Sequence, residues 1–202
     1  MSDTNPYQAP KVPVVDQRAS PSPTRDELSK MVLAEEEVRA FVGSKADYYL
    51  KAWNATDERG APQITLNWPA LLLCLVWFPY RKMYRATVIL YAAAVALAIL
   101  EDLLFVRVLG MPSTPSVVGT IQGLLIGIVC GAFGNEWYRW HARRLVAKLR
   151  ALRLPEHLYL AALSKRGGVS ILAPVGSIFV LLGAAVVFVI LEDLLLPGRL
   201  SG

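Results

Sequence analysis

Three long apolar runs constrain the fold of this chain more than any other feature of its sequence. They occupy about residues 84–104, 117–138 and 169–196, and each reaches the ~20 residues that an α-helix needs to cross a bilayer. Hydrophobic residues make up 54% of the 202 residues, more than the ~45–50% typical of a soluble domain. The sequence therefore predicts an all-α, polytopic membrane protein with three transmembrane helices, two of them within residues 81–138 and the third, with an outer tail, within 169–202.

A shorter apolar run, residues 66–80, precedes the first predicted span. Its uninterrupted apolar stretch is about 13 residues, too short to cross a bilayer as a helix. Pro69 and Pro79 are expected to limit a regular helix to the stretch between them. This run therefore predicts a re-entrant or interfacial segment.

Basic residues fall on one side of this arrangement. In residues 66–202, 11 Lys and Arg lie on one side of the predicted spans and 2, Arg107 and Arg199, on the other. The positive-inside rule then places the basic side in the cytoplasm. Three spans put the N-terminus in the cytoplasm and the C-terminus outside. A four-span arrangement would export an N-terminal region that has no signal-peptide pattern, and it ranks second.

The region before the spans divides into a tail and two helices. Residues 1–23 are rich in Pro, Ser and Gln, which predicts a disordered tail. Thr24 and Glu27 have the spacing of a capping box, and Gly43 is suited to end the helix that starts there. A second helix with an aromatic stripe follows, so residues 24–65 are expected to form cytoplasmic amphipathic helices.

The basic residues between the second and third spans, 139–168, form an amphipathic pattern. Apolar residues recur at helical spacing from Trp137, and basic residues occupy the other faces. This pattern is typical of a helix that lies on an anionic leaflet. The predicted partner is thus a lipid bilayer with anionic headgroups, with a membrane-protein partner or a second copy of the chain as further candidates. Nucleic acid is not expected, because no reading motif is present.

Two acidic pairs are candidates for ion binding. The sequence Ile-Leu-Glu-Asp-Leu-Leu occurs at residues 99–104 and again at 190–195, by duplication or by convergence. Both copies would end at the outer face, where four carboxylates brought together could ligate a divalent cation or simply be hydrated helix ends. These residues are Glu101, Asp102, Glu192 and Asp193.

The sequence offers little support for a disulfide, a metal site, a cofactor site or a catalytic site. Cys74 and Cys130 each lie inside an apolar run and are expected to be separate buried side chains. His141 and His157 have no cluster of further ligands around them. No phosphate-binding loop, dinucleotide fingerprint or nucleophile elbow occurs, and Gly167-Gly168 instead predicts the turn into the third span. We therefore expect no catalytic residues, cofactor or metal.

Several short motifs together resemble one family. They are Phe-Val-Gly-Ser-Lys-Ala-Asp-Tyr-Tyr-Leu at 41–50, Asn-Trp-Pro-Ala at 67–70, Trp-Phe-Pro-Tyr-Arg-Lys-Met-Tyr at 77–84, and Gly134-Asn135 with Tyr138 and His141. Over about residues 40–144 the chain resembles the domain-of-unknown-function 2628 family of bacterial inner-membrane proteins. The resemblance implies a membrane location and brings no activity or catalytic residue. The acidic helix at 25–40 and the third span depart from shorter family members.

The same motifs supply the candidate functional site. Polar and aromatic residues frame the short apolar segment and the end of the second span at the cytoplasmic interface, where they would anchor the segment or bind a headgroup. They are Asn67, Trp68, Trp77, Tyr80, Arg81, Tyr84, Asn135, Tyr138 and His141. The expected function is a non-enzymatic scaffold or accessory subunit with a cytoplasmic interaction face; the alternative is a small transporter or channel component that uses the acidic pairs.

Overall fold

The computed structural model describes residues 23–55 and 63–195, except for the side chains of 184, 185, 188, 189 and 191–195. All regular elements in these residues are helical, which confirms the predicted all-α class. The predicted disordered tail lies almost wholly outside them. The helices are α1 Arg25–Lys30, α2 Glu35–Val42, α3 Ala46–Asn54, α4 Trp68–Leu72, α5 Cys74–Tyr80, α6 Tyr84–Asp102, α7 Ser116–Ala151, α8 Glu156–Arg166 and α9 Leu172–Leu195.

The predicted capping box at the start of α1 is confirmed, but the single helix expected after it is two helices. The backbone amide of Thr24 donates to the Glu27 carboxylate over 2.7 Å, and the Glu27 amide donates to the Thr24 hydroxyl. The chain then becomes extended at Met31. A second helix, α2, then begins. The Glu37 carboxylate accepts a hydrogen bond from the backbone amide of Ala34 at 2.9 Å, which stabilises the first turn of α2.

The short apolar segment forms α4 and α5, and the break between them is at Leu73 rather than at the two prolines. Pro69 lies in the first turn of α4, where a missing amide costs no hydrogen bond. Pro79 lies inside α5 and leaves the carbonyl of Leu75 without its usual helical donor. The hydroxyl of Tyr91 on α6 donates to that carbonyl at 2.7 Å, so the helix tolerates the proline.

Two helices are long and apolar enough to cross a membrane. The first is Tyr84–Val108, which is α6 and a π-helical continuation at Leu103–Val108. The second is α7, with 36 residues. The third predicted span corresponds to α9, a helix of 24 residues whose apolar stretch in the described part is Leu172–Gly183. The three-span topology therefore remains a prediction.

The basic region after the second span is not one separate helix, and its predicted place on a bilayer surface stays a prediction. Helix α7 continues without a break to Ala151, and α8 follows after a short turn. No proline or glycine interrupts the chain between Gly134 and Pro155, so nothing in the sequence ends the helix earlier. The buried stripe of this part of α7 consists of Tyr138, Ala142, Val146 and Leu149. It shares Leu149 with the stripe predicted from Trp137, but Trp137 itself is exposed.

The connection from α8 to α9 is held by two backbone hydrogen bonds. The amide of Gly168 donates to the carbonyl of Phe41 at 2.6 Å, and the amide of Ser170 donates to the carbonyl of Tyr80 at 2.8 Å. Gly168 has a φ of +68°, a conformation that favours glycine. The turn predicted at Gly167-Gly168 is confirmed, and it fastens the start of α9 to the ends of α2 and α5.

The N-terminal helices, α8 and the far end of α7 contact one another and form one packed unit. We call it the helical cap and define it as α1, α2, α3, α8 and residues 134–151 of α7. Helices α4 and α5 pack beneath it along the middle of α7. Helix α6 packs on α5, and none of its most apolar 18-residue stretch is buried. The protein core thus lies in the cap and at α4–α5.

Candidate functional site

The centre of the candidate site is the ring of Tyr138 on α7, which is fully buried. Four aromatic rings from three other helices surround it, in the tilted or edge-on arrangements that aromatic pairs prefer. Ring centroids lie 5.3 Å away for Phe41, 4.9 Å for Tyr49, 5.8 Å for Trp53 and 6.1 Å for Trp77. This aromatic core ties α2, α3 and α5 to α7.

Arg81 is buried against the same rings. Its side chain is 7% exposed, and its guanidinium carbon lies 4.8 Å from the ring centroid of Tyr49 and 5.1 Å from that of Tyr138. Tyr80 contributes a third ring at 5.8 Å. The negative faces of these rings stabilise the buried cation. Its Nε atom makes no hydrogen bond within the described residues, so stacking holds this part of the side chain.

A hydrogen-bond network joins α4 to α7 beside the aromatic core. The amide nitrogen of Asn67 donates to the side-chain oxygen of Asn135 at 2.8 Å. The side-chain nitrogen of Asn135 in turn donates to the hydroxyls of Tyr48 and Thr65. The indole of Trp53 donates to the backbone carbonyl of Asn135 at 2.9 Å. Both asparagines are buried, so these bonds provide the partners that buried polar groups require.

Small residues of α7 allow α4 to approach closely. A Cβ atom added to Gly131 would lie 2.7 Å from the Cβ of Leu71, and one added to Gly134 would lie 2.9 Å from the Cβ of Ala70. At Gly127 an added Cβ would lie 2.8 Å from the carbonyl oxygen of Leu71. The spacing of these glycines predicts close helix packing, and the structure shows that α4 is the partner.

The structure brings seven of the nine predicted site residues together. The five most buried are Asn67, Trp77, Arg81, Asn135 and Tyr138. Tyr80 lies against Arg81, and the ring of His141 lies 5.9 Å from that of Phe41. Trp68 and Tyr84 lie at the surface instead, 62% and 55% exposed. Whether this cluster anchors the segment or binds a headgroup stays a prediction.

A second polar centre in the cap was not predicted from the sequence. The carboxylate of Glu37 on α2 is 7% exposed and accepts two hydrogen bonds from the Arg150 guanidinium, at 2.8 and 2.7 Å. The hydroxyl of Tyr159 on α8 donates to the same carboxylate. We call these three residues the carboxylate clamp. A bidentate arginine–carboxylate pair is among the stronger polar contacts in proteins, and this one joins α2, α7 and α8.

The clamp perturbs the protonation of its members. Burial raises the pKa of Glu37, but the hydrogen bonds from Arg150, Tyr159 and the Ala34 amide outweigh burial and hold the pKa below its ordinary value. Burial and the bond to the Glu37 carboxylate raise the pKa of Tyr159 to about 12. Glu37 is thus ionised, and Tyr159 protonated, near neutral pH.

The clamp carried a weak signal in the sequence. Glu37 is the third of three successive glutamates, and only its place at the third position of α2, where a capping-box carboxylate lies, distinguishes it from the other two. Its partners Arg150 and Tyr159 are more than 100 residues away. Long-range pairing of this kind has no periodicity that a single sequence reveals.

The expectation that Cys74 and Cys130 are separate is wrong, although both are buried as predicted. The structure joins them in a disulfide with their Cα atoms 5.9 Å apart, a separation usual for this bond. The break at Leu73 turns the chain back along α7, and this turn brings the first residue of α5 beside Cys130. A re-entrant segment implies such a turn, but no residue of the sequence marks Leu73 as its position.

The acidic pairs remain a hypothesis. Glu101 and Asp102 are partly exposed at the end of α6, while the side chains of Glu192 and Asp193 lie outside the described residues. Among the described residues, no group of three or more His, Cys, Asp or Glu is placed to hold a metal ion. Replacing Glu101 and Asp102 by Gln and Asn, with cation binding measured by calorimetry, would test the ion-path alternative.

Comparison with known proteins places the chain in a family. A model of the family described as "Protein of unknown function (DUF2628)" matches residues 21–144, more than half of the chain. The chain belongs to this family. The predicted resemblance is thereby confirmed. No curated protein and no solved structure matches the chain significantly.

The DUF2628 region contains the aromatic core but only part of the carboxylate clamp. It covers α1–α6 and α7 as far as Arg144, and therefore all nine predicted site residues. Arg150 and Tyr159 lie beyond it, as do α8 and α9. The clamp thus fastens the DUF2628 region to the C-terminal part of the chain.

Proposed function

We propose that this protein is a non-enzymatic integral membrane protein whose helical cap is a cytoplasmic scaffold for another membrane-associated protein. The observation that carries this proposal is that the buried polar groups bind other groups of the protein itself. Asn67 and Asn135 bind each other, Arg81 stacks on rings, and Glu37 binds Arg150. These groups are used to fix helices relative to one another, as expected of a rigid binding platform.

The placement of α4 and α5 supports a re-entrant segment. Leu71 contacts α7 at the level of Gly127 and Gly131, which precede Tyr138 by 11 and 7 residues. That corresponds to about 10–16 Å along the helix. Arg81, at the end of α5, returns to the level of Tyr138. A helical pair that descends along a membrane helix and returns to the same side supports insertion into one leaflet, with its backbone covered by α7.

The distribution of charge supports the orientation. Arg81, Lys82 and Arg85 precede or begin α6, and the basic residues from Arg139 onward belong to the far end of α7 and to α8. The amine of Lys82 donates to the carbonyl of Lys165 at 3.1 Å, so these ends lie together. The positive-inside rule then favours a cap on the cytoplasmic side. With α9 as a third span, the C-terminus is outside, in the inner membrane of a bacterium.

Cysteine labelling tests the topology. In a variant with Cys74 and Cys130 replaced by alanine, single cysteines are introduced at Ser113, between α6 and α7, and at Ala151, in the cap. A membrane-impermeant maleimide added to intact cells is expected to label position 113 and to label position 151 only after lysis. Labelling of position 151 in intact cells would contradict the orientation.

Site-specific photo-crosslinking in living cells tests the scaffold. A photoreactive residue is placed at Glu36 or Lys51, exposed positions of α2 and α3, with Ser113 as a control at the opposite end. We expect a discrete protein adduct from the cap positions that disappears when Tyr138→Ala disrupts the aromatic core. Adducts that survive Tyr138→Ala, or that form equally at Ser113, would refute a folded cap as the platform.

A further inference from the structure

A groove lies between the first turns of α6 and the part of α7 that enters the cap. Its volume is about 590 Å³, and it is lined from both helices as well as by Phe78 at the end of α5. A volume of this size is typical of pockets that bind small organic ligands. The groove is separate from the aromatic core, in which the rings pack on one another.

Four basic side chains line one end of the groove. Two come from the start of α6 and the turn before it, Lys82 and Arg85, and two come from α7, Arg144 and Lys148. None of the four forms an ion pair within the described residues, and no carboxylate is among the lining residues. An uncompensated group of four cations attracts an anion, and phosphate oxygens suit arginine and lysine donors.

Both walls change from cationic to apolar in the same direction. On α6, Arg85 is followed at intervals of four residues by Ile89 and Ala93, which therefore share a face. On α7 the direction is reversed along the chain: Trp137 is deepest, and Arg144 and Lys148 come later. Because the two helices run in opposite directions, both walls present charge at the cap end and apolar surface towards the spans.

The apolar end of the groove opens onto the surface that would face lipid. Ile89 is 69% exposed, and Ala93 is also exposed, in a helix whose most apolar stretch has no buried residue. Trp137 and Trp140 lie beside it, and tryptophan is enriched at the level of lipid headgroups. A ligand with an anionic head and an apolar tail matches this gradient, with its tail continuous with the bilayer.

We propose that the groove binds one anionic phospholipid. Lys82, Arg85, Arg144 and Lys148 bind its phosphate group, and an acyl chain lies along Ile89 and Ala93. Bound there, the lipid joins α6 to α7. This inference requires a membrane location but does not depend on the scaffold function.

Native mass spectrometry of the full chain in detergent tests the phosphate contacts. Delipidated protein is titrated with phosphatidylglycerol and, separately, with phosphatidylcholine. We expect wild-type protein to retain one phosphatidylglycerol in preference to phosphatidylcholine. Arg144→Gln with Lys148→Gln should weaken binding about 25-fold, since each basic residue near an anionic lipid contributes a factor of roughly five. Equal retention of both lipids would overturn the proposal.

The control for charge is Lys45→Gln with Lys51→Gln. These two lysines are exposed in the cap and do not line the groove, so the same loss of charge should leave lipid retention unchanged. An equal loss in this control would show a diffuse electrostatic effect and would refute a specific site.

The acyl contact is tested by Ala93→Trp, with Ala92→Trp as its control. Both alanines are exposed on α6, but only Ala93 lines the groove. Ala93→Trp should lower phosphatidylglycerol retention and Ala92→Trp should not. If both variants bind as wild type and millimolar inorganic phosphate displaces the lipid, the site takes a free phosphate anion and the lipid assignment is wrong. If cysteines introduced into the groove cross-link two copies of the chain, the groove is an interface between copies, and the lipid proposal is overturned.

Discussion

The two halves of α7 show how one helix is stabilised in two different ways. In residues 116–133, large apolar side chains point away from the protein, and Leu124 and Leu125 are 62% and 58% exposed. In residues 134–151, one stripe is buried almost completely against α2, α3 and α8, with Tyr138, Ala142 and Val146 at 0–1% exposure. In the proposed membrane arrangement, lipid would replace protein around the first half, so its side chains would gain little from contacts within the chain. The second half depends on the hydrophobic effect and on specific partners.

Loss of the Tyr138 ring should produce the largest effect. Tyr138→Ala is expected to destabilise the cap by about 3–5 kcal/mol, because it removes a fully buried aromatic side chain and leaves Arg81 without one of its rings. Thermal unfolding in detergent, followed by tryptophan fluorescence, measures this. Tyr138→Phe is the matched control: the hydroxyl makes no hydrogen bond within the described residues, so its loss should cost little. Equal effects of the two variants would show that packing around the ring is not what stabilises the cap.

A methyl group at Gly131 should have a smaller but clear effect. Gly131→Ala places a Cβ 2.7 Å from that of Leu71, so α4 must move, at a cost of about 1–3 kcal/mol. Gly123→Ala on the same helix meets no atom within 4 Å and should be neutral or slightly stabilising, since alanine favours helix more than glycine does. The difference between their unfolding temperatures measures the closeness of α4. If Gly123→Ala were destabilising as well, the effect of Gly131→Ala could not be attributed to the close approach of α4.

The carboxylate clamp should make the cap sensitive to acid. Glu37→Gln is expected to cost about 1–2 kcal/mol at neutral pH, since water screens the half-exposed Arg150. The folded-state pKa of Glu37 is lowered, so its contribution is present above the unfolded-state value of 4.5 and is lost as pH falls through the folded-state pKa. The difference between wild type and Glu37→Gln in unfolding temperature should therefore disappear below that pH. Glu35→Gln, at an exposed carboxylate, should show no such difference at any pH.

A truncation on the exposed face of α6 should have the smallest effect. Leu100 is 58% exposed, so Leu100→Ala is expected to change stability in detergent by less than about 0.5 kcal/mol. The same unfolding measurement checks this. A cost comparable to that of Tyr138→Ala would mean that α6 is packed against protein, for example a second copy of the chain.

Features that depend on local spacing were predicted well. The capping box at Thr24, the turn at Gly167-Gly168 and the apolar runs that form α6 and much of α7 are each contained in a short window of sequence. Physical rules for helix starts, turns and membrane length apply directly to such windows. The motif residues of the candidate site were also identified, and seven of the nine lie together.

Features that depend on contacts between residues far apart in the sequence were not predicted. Neither the Cys74–Cys130 bond nor the Glu37–Arg150 pair has a signature in a single sequence, because each joins residues far apart in the chain. The break at Leu73 was missed for a different reason. Proline is the usual helix breaker, but Tyr91 provides the donor that makes Pro79 tolerable. Trp68 and Tyr84 belong to the motifs that supply the candidate site, but they lie on the outer faces of their helices.

The length of α7 has a consequence for how the protein responds to its surroundings. Its 36 residues extend about 54 Å, whereas the hydrocarbon layer is about 30 Å thick. The cap is built on the remaining length of the same unbroken rod. Helices adjust to thinner bilayers by tilting, and a tilt of α7 carries α1, α2, α3 and α8 with it. If α7 spans a membrane as proposed, the thickness of that membrane would set the angle at which the cap is held.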